Sequence, residues 1–124
     1  MLDHIRVSVS DYQASKAIYL AALAPLGYGV VMEVAQAGPA AGLGEGGKPD
    51  FWIAAGAATR PPAHIAFRAR DRATVRAFHA AALAVGGRDN GAPGLRPHYH
   101  ANYYGAFVLD PDGHNIEAVC HHPD

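Results

Sequence analysis

From residue 4 to residue 10 apolar and polar side chains alternate, with Ile5, Val7 and Val9 on one side and His4, Arg6, Ser8 and Ser10 on the other. The same alternation returns further along the chain, where Ile65, Phe67 and Ala69 interleave with His64, Ala66, Arg68 and Arg70. A period of two with β-branched residues predicts a strand buried on one face, here twice over. Each run stops at an aspartate, Asp11 or Asp71, whose carboxylate can accept the unpaired N–H groups of a following helical turn. Helices are therefore predicted over 12–24 and 72–85. Ala14, Ala17, Ile18, Ala21 and Ala22 form the apolar stripe of the first, and Val75, Phe78, Ala82 and Val85 that of the second. Glycines stop both, at Gly27 and at Gly86-Gly87. Strands are predicted at 28–35, around 40–45 and at 50–55 after the first helix. After the second they fall weakly near 88–91, then at 103–109 and 115–120. The segment from Gly91 to Asn102 carries two prolines and reads as a loop wrapping over the molecule rather than pairing.

These elements fall into an internal repeat with an offset of 60. His4 meets His64, Ile5 meets Ile65, Asp11 meets Asp71 and Gly27 meets Gly87, with Ala21-Ala22-Leu23-Ala24 on Ala81-Ala82-Leu83-Ala84. The chain is thus read as one domain, 1–124, of class α+β. A first βαβββ module (1–56) and a second (63–122) are joined by a proline-bearing hinge (57–62), and their sheets are expected to form a cupped mixed sheet.

Composition narrows the function classes. Of 124 residues 50% are hydrophobic and 17% charged, which suits a folded core rather than disorder. A formal net charge of -1 gives no reason to expect nucleic acid or an anionic membrane as partner. No apolar run approaches the length of a membrane span. The single cysteine, Cys120, has no partner in the chain and fits a reducing cytoplasm.

The polar side of the two equivalent strands carries His4, Arg6, Ser8, His64, Ala66 and Arg68. In the last strand Ile116, Ala118 and Cys120 suit the helix side, which turns Asn115, Glu117 and Val119 toward the cup. Two imidazoles and a carboxylate with positions left open are a ligand set for divalent iron, manganese, nickel, cobalt or zinc. A histidine at the start of a strand also serves as hydrogen-bonded filler, and the pattern alone leaves both readings open. His98, Tyr99, His100, Tyr103 and Tyr104 cluster before the last two strands. They read either as a lid in which His100 and Tyr103 act as acid or base, or as a solvated loop with aromatic anchors. Tyr103, Gly105 and Phe107 are expected to face the cup. Arg6 and Arg68 suit an anionic substrate, or ion pairs with Asp50 or Glu33 at the rim. Trp52 reads as a wall of the cup. His114, His121 and His122 are expected in solvent. The glycine-rich segment Gly38 to Gly47 lacks the context of a nucleotide site and reads as a hairpin.

The stretch from Tyr103 to Glu117, with the turn Asp110-Pro111-Asp112-Gly113-His114, resembles the closing hairpin of the vicinal oxygen chelate superfamily. That superfamily includes glyoxalase I, extradiol dioxygenases, fosfomycin-resistance enzymes and bleomycin-resistance proteins. The resemblance extends over nearly the whole chain as two βαβββ modules. It implies that His4, His64 and Glu117 hold a divalent metal. It further implies catalytic roles for Glu117, His100 and Tyr103, and a small substrate contacted by Arg6, Trp52, Arg68 and Phe107. A homodimer is expected, with modules paired within one chain or exchanged between chains. One position departs from the pattern: Trp52 stands where bacterial glyoxalase I carries a fourth ligand, a glutamate, so that isomerisation is not implied. The expectation is metal-assisted lyase or isomerase, oxygenase or transferase chemistry on a small oxygen-rich molecule. The alternative is a metal-free protein that sequesters one, of the bleomycin-resistance type.

Overall fold

The computed structural model describes residues 1–35 and 38–124. The first module runs β1 (Ile5–Val9), α1 (Tyr12–Leu23), a 3₁₀ turn (Ala24–Leu26), β2 (Gly29–Val34), β3 (Ala40–Gly44) and β4 (Phe51–Ala55). The second repeats it as β5 (His64–Arg68), α2 (Arg72–Ala84), β6 (Arg88–Leu95), β7 (Tyr104–Leu109) and β8 (Asn115–Cys120). Each module folds one four-stranded sheet, ordered β1-β4-β3-β2 and β5-β8-β7-β6. In both, the first strand runs parallel to the last and the remaining pairs are antiparallel. The fold is the anticipated pair of βαβββ modules.

Both helices start as the aspartates dictate. Asp11 accepts from the Ala14 N–H and Asp71 from the Thr74 N–H, so each carboxylate satisfies a donor that the first turn cannot pair internally. The apolar faces of both sheets and both helices meet in one core. Val7, Val9, Phe51 and Ile53 from the first module join Phe67, Val75, Phe78 and Ile116 from the second. Phe51 and Phe67 meet edge to face with centroids 5.3 Å apart, an arrangement that sets the ring edge against the π face. α1 also packs on α2. Because the apolar faces are spent on this shared core, the polar face of each sheet looks outward.

The segment after α2 corrects the sequence reading. β6 continues through Leu95, so residues expected in a wrapping loop are paired with β7. Pro93 is tolerated because β6 is an edge strand, where a missing N–H costs no ladder bond, and the register shifts between Gly91 and Gly94. Among the described residues no helix is long and apolar enough to cross a membrane.

Candidate functional site

β8 sets Glu117 opposite Phe107 on β7 and beside Ala66 on β5. Its carboxylate is 2% exposed at the base of a cleft of about 530 Å³ lined by His64, His98, Tyr99, His100, Tyr103 and Phe107. One carboxylate oxygen lies 3.2 Å from His64 Nε2, and the other accepts from the Tyr103 hydroxyl. Burial, and then the hydrogen bond to Glu117, push the Tyr103 phenol well above its usual range. Tyr103 therefore keeps its proton and serves as a donor. His100 and His121 stack on each other against the Tyr103 ring, with His100 Nε2 2.6 Å from His121 Nδ1.

Both strand-start histidines have a neighbour at Nδ1, but of opposite kind. The Asn115 amide donates to His64 Nδ1 at 2.7 Å and accepts from Asn90 at 3.1 Å. His4 Nδ1 lies 2.7 Å from Asp3 Oδ1, and that carboxyl is drawn below the usual range by His4 and then by Lys48. Asp3 can accept from His4 Nδ1–H and so leave Nε2 the unprotonated nitrogen, as outer partners do for imidazoles that bind metals through Nε2. The Asn115 amide instead donates to His64 and leaves its Nε2 as the N–H that faces Glu117. The ligand types, two imidazoles and a buried carboxylate, fit a divalent ion, with His64 in its other tautomer when Nε2 binds one.

The predicted site residues divide between two places. His64, Glu117, His100, Tyr103 and Phe107 line one cleft. His4, Arg6 and Trp52 line another, of about 470 Å³, on the polar face of the first sheet with Asp3, Val34, Ala40, Lys48, Pro49 and Ala54. Arg68 lies in neither: it borders a crevice at the module junction with Leu26, Tyr28, Glu45 and His122. Within a single chain the cup expected to carry both histidines is thus two half-cups. His4 belongs to no group of three potential ligands within 4.8 Å of one another among the described residues. The group that meets that spacing is Asp110, Asp112 and His114.

That group is a lock between modules. Asp110 accepts from the Asp112 and His114 N–H groups on one oxygen and from the Tyr19 hydroxyl on the other. Asp112 accepts from the backbone and hydroxyl of Ser10. His114 Nδ1 accepts from Ala63 N–H, and its other nitrogen donates to the Ser8 carbonyl. Every potential ligand atom is engaged, so the turn ties β1, α1 and the start of β5 together. Gly113 closes it at φ +84°, a region that side chains with a Cβ rarely adopt. His114 was expected in solvent and is 0% exposed, its ring tied to the Ala63 N–H and the Ser8 carbonyl. Nothing in the alternation of apolar residues signals this role. The spacing of Asp110, Asp112 and His114 in one turn was the available hint.

The register also explains Trp52. β1 pairs Arg6 with Trp52, and β5 pairs Ala66 with Glu117. Arg6 and Ala66 are equivalent in the repeat, so Trp52 occupies the first module's counterpart of the buried glutamate.

A family model described as the Glyoxalase/Bleomycin resistance protein/Dioxygenase superfamily matches residues 1–118. A crystal structure of a glyoxalase/bleomycin resistance protein from Albidiferax ferrireducens T118 is similar at 30% identity and TM-score 0.77, covering 98% of this chain and 99% of that one. A glyoxylase/bleomycin resistance protein/dioxygenase domain from Frankia sp. EAN1pec shares the fold at 15% identity and TM-score 0.74, with 98% of each chain covered. A glyoxalase I mutant from Zea mays matches at 19% identity and TM-score 0.70, over 99% of this chain and 45% of that one. No curated protein matches the chain.

Proposed function

Because the chain belongs to the Glyoxalase/Bleomycin resistance protein/Dioxygenase superfamily, we propose that it is a metal-dependent enzyme acting on a small oxygen-rich molecule. Its metal ligands are His4, His64 and Glu117. The observation that carries this reading is the buried Glu117 carboxylate facing His64 Nε2 at the base of an open cleft. Among the described residues that carboxylate makes no ion pair with Lys or Arg, and its partners are His64 and the Tyr103 hydroxyl. A divalent ion bound there would polarise adjacent substrate oxygens as a Lewis acid and stabilise the charge that develops on them. Tyr103 supplies a proton-bearing hydroxyl at Glu117, and Asn115 fixes the His64 ring. His100 stands at the rim, where an imidazole can pass a proton to or from solvent. Lyase or isomerase, oxygenase and transferase reactions all fit this arrangement.

His4 lies outside the His64–Glu117 pair of its own chain, and the two sheets do not pair with each other. We infer that the site is completed in a homodimer by exchange, with His4 of one subunit joining His64 and Glu117 of the other. The metal reading is tested by elemental analysis of protein purified without chelator, alongside the Glu117→Gln variant. About one ion per chain is expected in the parent. The variant should lose more affinity than the roughly 10–100-fold typical of an outer-shell partner. Equal metal retention by both proteins would sink it. A parent that takes up no metal would favour the metal-free binding protein, a reading supported by Trp52 in the place of a second carboxylate.

A further inference from the structure

The cleft on the first sheet combines a flat apolar wall with an unanswered cation. Trp52 lies directly across from Gly42 on β3. A Cβ at Gly42 would come within 2.7 Å of the indole and 2.9 Å of the Pro49 ring. The missing side chain is therefore the space in which the indole rests, backed by β3 and braced by Pro49. The next row of the sheet is Val34, Ala40, Ala54 and Ser8, small or apolar side chains that leave the floor low. Arg6 stands one strand over from Trp52, in register with it. Neighbouring strands are about 5 Å apart, so one small ligand can meet both side chains.

The acids considered as partners for Arg6 make other contacts, although one Asp50 oxygen has no partner. Glu33 accepts from Lys16 and Tyr12, Asp50 from Tyr28, and Asp3 from Lys48 while it also contacts His4. Arg6 has no ion pair or hydrogen bond among the described residues, so the rim pairing weighed from sequence is not formed. A guanidinium beside a half-buried indole, with no carboxylate to answer it, is suited to a planar molecule bearing its own carboxylate.

We propose that this half-cup selects a flat organic anion, aromatic or conjugated, with its carboxylate on Arg6 and its plane against Trp52. The inference deepens the proposed function, since His4 lies in the same cleft. It names the substrate class: a planar carboxylate whose far end reaches the metal ligands.

Trp52 is the only tryptophan, so its indole N–H gives a single side-chain signal in a nitrogen–proton NMR spectrum. The experiment titrates metal-stripped, chelator-free protein with benzoate, its neutral isostere benzamide, and the non-planar cyclohexanecarboxylate. Benzoate is expected to move the indole signal and to bind about tenfold more tightly than benzamide, as one charge-assisted bond would give. It should also bind more tightly than cyclohexanecarboxylate. Arg6→Gln should reduce the benzoate preference to within about threefold while leaving benzamide binding unchanged. Arg6→Lys should restore part of it, and Gly42→Ala should weaken both planar ligands by displacing the indole. Equal affinity for benzoate and benzamide, an undiminished preference in Arg6→Gln, or no movement of the signal by benzoate would overturn the proposal. Metal is absent throughout, and Glu117→Gln leaves Arg6 and Trp52 untouched. Failure here is therefore distinguishable from failure of the metal reading.

Discussion

The two modules share element order, strand pairing and capping aspartates, yet they differ at the turn before the last strand and at one position within it. In the first module the turn Glu45–Asp50 lies mostly in solvent, and the last strand offers Trp52. In the second the turn Asp110–His114 is largely buried and bonded into the first module, and the last strand offers Glu117. One frame thus carries two specialisations. The first module supplies an apolar wall and a cation, the proposed recognition surface, and the second supplies a carboxylate, an oriented imidazole and the bonds that hold the halves together. The difference teaches that β-sheet register conserves where a side chain points, while chemistry is decided by which residue stands there.

The sharpest way to break this division is to mix the variants His4→Ala and Glu117→Gln, unfolding and refolding them together. Exchange between subunits leaves one intact site in each mixed dimer, so about half the mixed dimers' sites should recover metal, against almost none in either variant alone. No recovery in a confirmed mixed dimer would assign all ligands to one chain.

A smaller effect separates the two turns by stability. Asp110→Ala removes the acceptor of three buried hydrogen bonds and should cost about 3 kcal/mol or more in denaturant unfolding. Lys48→Ala, in the first module's exposed turn, breaks a surface pair with Asp3 and should cost about 0.5 kcal/mol or less. Similar costs for the two would remove the distinction between a locking turn and a free one.

The smallest effect is in pH. Burial raises the Asp112 carboxyl, but the hydroxyl and backbone bonds from Ser10 outweigh it and hold the group below its usual value. A carboxyl depressed on folding contributes stability that is present above its unfolded value, about 3.9, and is lost as pH falls through the folded one. Ser10→Ala should therefore be less stable than the parent near neutrality and approach it in acid. A gap in urea midpoints of the same size at both pH values would show that the bond does not depend on the ionised carboxylate.

Much of this architecture was legible in the chain. Alternation at Ile5–Val9 and Ile65–Ala69, the capping aspartates and the offset of 60 are local signals, and the structure follows them nearly residue for residue. Glu117, His64, Tyr103 and Phe107 were expected to share a face and line one cleft. What stayed hidden depends on contacts distant in sequence. β6 pairs through Pro93 only because it lies at a sheet edge, which no local pattern reveals. The separation of His4 from Glu117 follows from apolar faces meeting across modules, and His114 is buried by partners at Ser8 and Ala63. The need for glycine at position 42 becomes visible only when the Trp52 ring is laid over it.

The lock has a consequence in time as well as in space. Ser10 reaches Asp112 across 102 positions and Ser8 reaches His114 across 106. Contacts closed over such separations form late, since the loop entropy is lost before the bonds repay it. During synthesis the first strand and helix emerge with the Ser8 carbonyl, Ser10 and the Tyr19 hydroxyl waiting for groups not yet made. The half of the molecule that is translated first is thus the half that must be finished by the other.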